Sequence, residues 1–120
     1  MPRARYDFQN LDVYQKALGF AERIYRETED FPQRVQYSLG DQFRRPALSI
    51  CNNIAEGAQK RGPAKRQFYG YALNSARECV PMMELAMRLK LLAEHNGEAG
   101  LEDECFHICN MLYRLIQSAR

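Results

Sequence analysis

Between Phe31 and Gly57 the chain reads FPQRVQYSLGDQFRRPALSICNNIAEG, and two stripes run through it at helical spacing. Leu39, Phe43, Ala47, Ile50 and Ile54 recur in steps of four and three, the mark of a helix with one buried face. Gln42, Arg45, Ser49, Asn53 and Glu56 form a second stripe beside it. A solvated helix face is usually rich in Lys and Glu, which favour helix. This stripe carries amides, a hydroxyl, a guanidinium and a carboxylate, groups suited to directional hydrogen bonds. It predicts a polar seam against another helix or subunit. The plainer alternative is a partly wetted helix edge.

Three further stretches carry a helical period. Leu11, Tyr14, Leu18, Ala21, Tyr25 and Thr28 repeat at three and four, widened by Ala17 and Ile24, with Asp12 as the expected cap. Gly19 inside this pattern costs about 1 kcal/mol relative to Ala unless a neighbouring helix comes close there. Phe31-Pro32 ends the helix, because the residue before proline disfavours helical geometry. The second helix starts at Pro32 or Gln33, is expected to kink at Pro46, and stops at Gly57. Residues 58–66, AQKRGPAKR, read as a linker turning at Gly62-Pro63.

The third helix opens at Pro63 or Ala64. Its seam is Phe68, Ala72, Ser75, Cys79, Met82, Ala86, Leu89 and Ala93, broadened by Tyr71, Ala76, Met83, Leu85 and Leu92. Pro81 is a second expected kink, and Asn96-Gly97 the expected end, for a length of about 30 residues, or about 45 Å. The fourth helix starts between Glu98 and Leu101, with Glu102, Asp103 and Glu104 at the positive end of its dipole. Leu101, Cys105, Ile108, Leu112, Leu115 and Ala119 make the most regular seam of all.

Four amphipathic helices joined by short turns predict an all-α, antiparallel up-down-up-down four-helix bundle. The 120 residues suffice for one such domain over 1–120, with a short arm at 1–10. Apolar residues beyond each seam suggest that helix flanks are covered in an oligomer. No apolar run approaches the roughly 20 residues that span a bilayer. The two arginines near the start are followed by no apolar stretch, so no secretory signal is read and a cytoplasmic location is expected. In that setting Cys51, Cys79, Cys105 and Cys109 are expected to be free, buried thiols.

Chemistry is sparse. Glu104-x-x-His107 is half of a carboxylate-bridged metal bundle, but residue 92, three before His95, is Leu. There is no C-x-x-C, no phosphate-binding glycine loop and no nucleophile motif. Neither a metal, a cofactor nor an enzyme is expected. Charge is more informative. The net charge is only +2, yet residues 33–66 hold Arg34, Arg44, Arg45, Lys60, Arg61, Lys65 and Arg66 against Asp41 and Glu56. Residues 98–120 lean acidic. A basic surface on a near-neutral chain can bind nucleic-acid phosphate, and repetition around an oligomer enlarges its field. The alternative is a protein–protein scaffold whose basic turn serves solubility.

The motif RRPALSICNNIAEG carries a resemblance. With Phe31-Pro32, Tyr37, Leu39, Gln42, Arg44-Arg45, Ser49-Ile50, Asn53-Ile54-Ala55-Glu56-Gly57, Arg61, Ser75 and Glu78, the chain resembles the bacterial four-helix-bundle proteins encoded by intervening sequences in 23S rRNA genes. The opening FQNLDVYQKA resembles that family's first helix. The resemblance implies a ring-like homopentamer. It also implies kinship with the accessory variability determinant of diversity-generating retroelements, associated with nucleic acid and a reverse transcriptase. Gln42, Arg45, Ser49, Asn53, Glu56, Ser75 and Glu78 are then expected to form a buried or intersubunit polar network. The remaining cations, with Arg45 in either role, are the expected contacts to RNA or DNA phosphate. Cys51 where the family often has Pro, Pro46 where Ala is usual, and Pro81 depart from the pattern.

Overall fold

In the computed structural model, which describes residues 5–92 and 100–119, a short 3-10 turn at Asp7–Asn10 leads into four long helices. These are α1 (Asp12–Glu29), α2 (Asp41–Ala58), α3 (Gly62–Arg88) and α4 (Leu101–Ser118). Helix α1 packs on α2 and α4, and α3 packs on the same two, so the four stand around a square as a four-helix bundle. No strand occurs among the described residues. The expected stop at Asn96-Gly97, and Ala93, His95 and Glu98, lie outside the described residues.

The seams of α2 and α4 lie where their spacing puts them. Leu39, Phe43, Ala47, Ile50 and Ile54 are buried, as are Leu101, Cys105, Ile108 and Leu112. Helix α1 differs. Its core face is Val13, Ala17, Phe20, Ala21, Ile24 and Thr28, of which Ala17, Ala21, Ile24 and Thr28 were expected, whereas Leu18 and Tyr25 are 45% and 40% exposed. The larger apolar gain of Phe20 and Ile24 turns the helix away from the stripe that runs through Tyr14, Leu18 and Tyr25. Similarly, α3 buries Tyr69 and Leu73 and leaves Tyr71, Leu85 and Leu89 exposed. Asp12 stands inside the first turn of α1 rather than at its cap, which Leu11 occupies. Its charge still favours the positive end of the dipole.

Gly19 meets no close neighbour: a Cβ built there has nothing within 4 Å. The glycine therefore costs helix stability without buying a close approach inside the chain. Gly19→Ala is expected to raise unfolding stability by about 0.5–1 kcal/mol, read as a higher urea midpoint at unchanged slope.

Between α1 and α2 the chain makes one helical turn at Gln33–Val35 and a π-helical turn at Gln36–Gly40. The Gln36 amide ties this turn to the end of α1, donating to the carbonyls of Thr28 (2.6 Å) and Phe31 (3.0 Å). Arg44 reaches back over it. Its guanidinium donates to the Gln36 carbonyl at 3.2 Å and to the Asp41 carboxylate at 2.7 Å. A Cβ at Gly40 would lie 3.1 Å from that guanidinium, so the missing side chain makes room for it.

Helices α2 and α3 each continue through their internal proline, Pro46 and Pro81. The linker is shorter than 58–66. Helix α2 runs to Ala58 and α3 begins at Gly62, where a φ of 57° suits a residue without a Cβ. Helix α3 stops at Arg88. Lys90 takes the left-handed conformation, and the Leu91 and Lys90 N–H groups close back on the Ala86 (2.8 Å) and Met87 (3.0 Å) carbonyls. This is a Schellman cap, with lysine in the place glycine usually takes.

Candidate nucleic-acid interface

Because only Gln59, Lys60 and Arg61 separate α2 from α3, Lys60, Arg61, Lys65 and Arg66 crowd around the start of α3. Lys65 and Arg66 sit on its first turns rather than on a loop. The positive end of the α3 dipole points the same way, which adds to the attraction for an anion. Lys60 Nζ lies 5.8 Å from the Phe68 ring centroid and 3.9 Å from the Glu56 carboxylate. Lys65 Nζ lies 5.8 Å over the Tyr69 ring. These are loose contacts that leave ammonium groups facing water. Arg61 is exposed and makes no hydrogen bond or ion pair among the described residues.

Arg66 Nη1 donates to the Ala119 carbonyl at 3.1 Å, which brings the end of α4 to the same end of the bundle. Arg114, on the last turns of α4, comes with it. Arg114 lines a shallow cleft with Leu11 and Val13, at the start of α1. Sequence reasoning passed over Arg114 because it lies 48 residues from Arg66 in the chain. The signal that could have found it is the bundle order, which sets the end of α4 beside the start of α3.

The other expected phosphate contacts are placed elsewhere. Arg44 is held within the π-turn by Asp41 and Gln36, and is therefore a structural residue. Arg45 is exposed midway along α2, about 22 Å along the helix from Lys60 at 1.5 Å per residue. Arg34 is exposed at the far end, nearly 40 Å away by the same count. The segment's +5 charge is thus split into one cluster and two single residues.

The polar stripe is also divided. Ser75 Oγ donates to Ser49 Oγ at 2.9 Å, and Asn53 Nδ2 donates to the same hydroxyl (3.0 Å) and to the Ser49 carbonyl (2.9 Å). These three residues stitch α2 to α3 along a half-buried line. Gln42, Arg45, Glu56 and Glu78 are exposed and make no contact with it. Glu56 reaches only Lys60, and Gln42, Arg45 and Glu78 have no hydrogen bond or ion pair among the described residues. A buried seven-membered network within one chain is therefore not formed. Long charged side chains on the outer edge lower their energy by staying hydrated.

Glu104, half of the metal-like pair with His107, is instead joined to Arg23 of α1. Among the described residues no group of three or more His, Cys, Asp or Glu could hold a metal. Cys51, Cys79 and Cys105 are buried free thiols, and burial pushes Cys51 up to about 11 and Cys79 up to about 12. They remain protonated and unreactive at neutral pH. Cys109 is only half-buried, against the expectation for it, because it stands where α4 turns toward the open groove beside α3. No described helix is long and apolar enough to cross a membrane.

The family model of the 23S rRNA-intervening sequence protein matches residues 9–114. This chain belongs to that family. The matched span contains the four-cation cluster, Arg114 and every member of the polar stripe. A crystal structure from the S23 ribosomal protein family, a protein of unknown function from Bacteroides thetaiotaomicron VPI-5482, superposes with a TM-score of 0.76. The two are 24% identical, and the match covers 88% of this chain and 96% of the other. At that identity the family's bundle fold is what the two share. None of the curated proteins matches this family member.

Proposed function

We propose that this protein is a non-enzymatic, oligomeric accessory factor that docks the phosphate backbone of RNA or DNA on one basic end of its bundle. The observation that carries the reading is the gathering of Lys60, Arg61, Lys65 and Arg66 around the positive end of α3. Arg114 extends the same surface. In this reading the bundle runs up-down-up-down, which accords with short connections and neighbour-to-neighbour packing. Copies assemble as a ring-like homopentamer in the cytoplasm and set several such ends side by side. Nucleic-acid shape or a protein partner then supplies specificity. A reverse transcriptase is the partner that kinship with the retroelement accessory protein suggests.

The α2–α3 face is the proposed subunit contact. It carries Arg45 and Glu78, which have no partner among the described residues, beside exposed Tyr71, Leu85 and Leu89. A neighbouring copy would give those charges counterions and cover the apolar side chains. The same exposed residues favour the second reading, a protein-only scaffold with no nucleic-acid ligand.

Binding of a structured RNA, followed by fluorescence anisotropy across a salt series, tests the first reading. Each neutralised phosphate adds about 0.7–0.9 to the log–log slope, so four cations on one copy predict a slope of about −2.8 to −3.6. Mass measurement in dilute solution is expected to give about five times the 14.0 kDa chain. Binding that ignores salt would overturn electrostatic docking. A persistent monomer would overturn the assembly. A pentamer that retains no RNA at low salt would favour the scaffold.

A further inference from the structure

On the outer side of the bundle a groove of about 580 Å³ runs between α3 and α4. Each wall repeats at helical spacing. On α3 the wall is Leu73, Arg77, Val80 and Glu84, in steps of four, three and four. On α4 it is Glu102, Phe106, Cys109 and Tyr113, with the same steps. Two such stripes side by side form the holes into which a third helix can set its own side chains. The middle of the groove is apolar and uncovered. Phe106 is 69% exposed, Tyr113 53% and Val80 40%, with buried Met83 beneath them. A phenylalanine has no polar tip to keep in water, and Val80 and Tyr113 make a patch here rather than one stray ring.

Charge decides what kind of helix fits. Glu84, Glu102 and Asp103 line the groove against the one guanidinium of Arg77. The three carboxylates are exposed and have no hydrogen bond or ion pair among the described residues. Cys105 meets the Ala76 carbonyl and Ala119 meets Arg66, so Glu84 falls beside Glu102 and Asp103 at the end away from the basic cluster. Arg77 stands seven residues back along α3, about 10 Å nearer that cluster. A phosphate backbone in the groove would be repelled by the three carboxylates. The proposed subunit contact leaves the groove open. At about 100° per residue, Tyr71, Glu78, Leu85 and Leu89 flank the buried face of α3 on one side, and Arg77, Val80 and Glu84 flank it on the other.

We propose that the α3–α4 groove is the docking site for a cationic amphipathic helix of a partner protein. The partner's apolar stripe lies over Val80, Phe106 and Tyr113, and its Lys or Arg side chains lie over Glu84, Glu102 and Asp103. Phe106 is the anchor, because a few well-covered aromatic side chains carry most of the energy in contacts of this kind. The carboxylates stand at the rim, where charge governs encounter rate and choice of partner more than raw affinity. None of Lys60, Arg61, Lys65 and Arg66 lines the groove. A protein bound there leaves the basic end free, and the inference stands apart from the RNA-binding reading.

The chain contains no tryptophan, so a peptide with a single tryptophan reports its own binding. The probe is a peptide of about 18 residues, five helical turns, with leucines at i, i+3, i+4 and i+7, one tryptophan in that stripe and lysines on both flanks. It is titrated with the full chain, without RNA, and followed by tryptophan emission and anisotropy. Two controls are a scramble of the same composition and the same peptide with glutamate for lysine. The lysine peptide is expected to bind about tenfold or more tightly than either control. Phe106→Ala should fold normally, since the ring is exposed, and should weaken that binding by about tenfold or more. Glu84→Gln, Glu102→Gln and Asp103→Asn together should bring the lysine and glutamate peptides within about threefold of each other. Equal binding of the two peptides by the parent chain would overturn the proposal, as would undiminished binding by Phe106→Ala. A smaller oligomer mass for Phe106→Ala would also overturn it, by showing that a second copy fills the groove. So would a loss of RNA affinity in that variant, which would place nucleic acid there.

Discussion

Replacing Lys60, Arg61, Lys65 and Arg66 together by Gln is expected to weaken RNA binding about a hundred- to a thousandfold near physiological salt and to flatten its salt dependence by roughly three units of log–log slope. The size follows from the number of ions displaced. Each cation that neutralises a phosphate releases a condensed counterion, and four such sites act on one end of the bundle. The fold should survive the change. All four side chains reach solvent, Lys60 holds Glu56 only at 3.9 Å, and Arg66 gives up one exposed bond to Ala119. Surface changes of this kind are usually worth within about 0.5 kcal/mol each. Circular dichroism and an unchanged oligomer mass would confirm that binding alone was altered. Arg34→Gln is the internal control, because Arg34 lies at the opposite end. If Arg34→Gln weakens binding as much as a single change in the cluster, attraction is diffuse and the basic end is not the site. If the fourfold variant binds like the parent, the proposed interface is wrong.

The same cluster shows what a linear reading of charge can and cannot give. Residues 33–66 hold seven cations, but a helix of this length carries them from one end of a molecule 44 Å long to the other. Only the turn, where chain direction reverses, concentrates them. Arg44 was indistinguishable from Arg45 by type and position. What separates them is the π-turn, which brings the Gln36 carbonyl within reach of one and leaves the other in water. Hydrophobic period located α2 and α4 well because Ile, Phe and Leu dominate a single stripe in each. In α1 it was right for Ala17, Ala21, Ile24 and Thr28, which are buried, but it took Leu18 and Tyr25 for core where Val13 and Phe20 are. A tyrosine counts as apolar in such a pattern but gains by keeping its hydroxyl wet. The end of α3 was hidden for another reason. Lysine carries no turn signal, and Lys90 adopts the left-handed conformation because Leu91 can then pack back on the core beside Ala86.

Gly57→Ala should destabilise the protein by about 1–3 kcal/mol, although alanine is the better helix former by about 1 kcal/mol. The sequence makes this glycine a helix stop, yet α2 continues past it to Ala58. Its significance lies in packing. A Cβ there would stand 2.7 and 2.8 Å from two carbons of the Tyr69 ring and 3.2 Å from Phe68 Cβ. Tyr69 is only 3% exposed, so its ring has no empty space to swing into. The helices must separate or the ring must leave its rotamer, and either cost exceeds the gain in helix propensity. The sign is thus opposite to that at Gly19, where the same substitution meets open space. Urea midpoints of the two variants form one comparison, with Gly19→Ala above the parent and Gly57→Ala below it. A double variant separates clash from any other cause. Tyr69→Leu should lose stability alone, yet in combination Gly57→Ala should cost little or nothing more, giving a coupling of about 1 kcal/mol or larger. Strict additivity, or a Gly57→Ala protein more stable than its parent, would show that the close approach of α3 to α2 is not what this position requires.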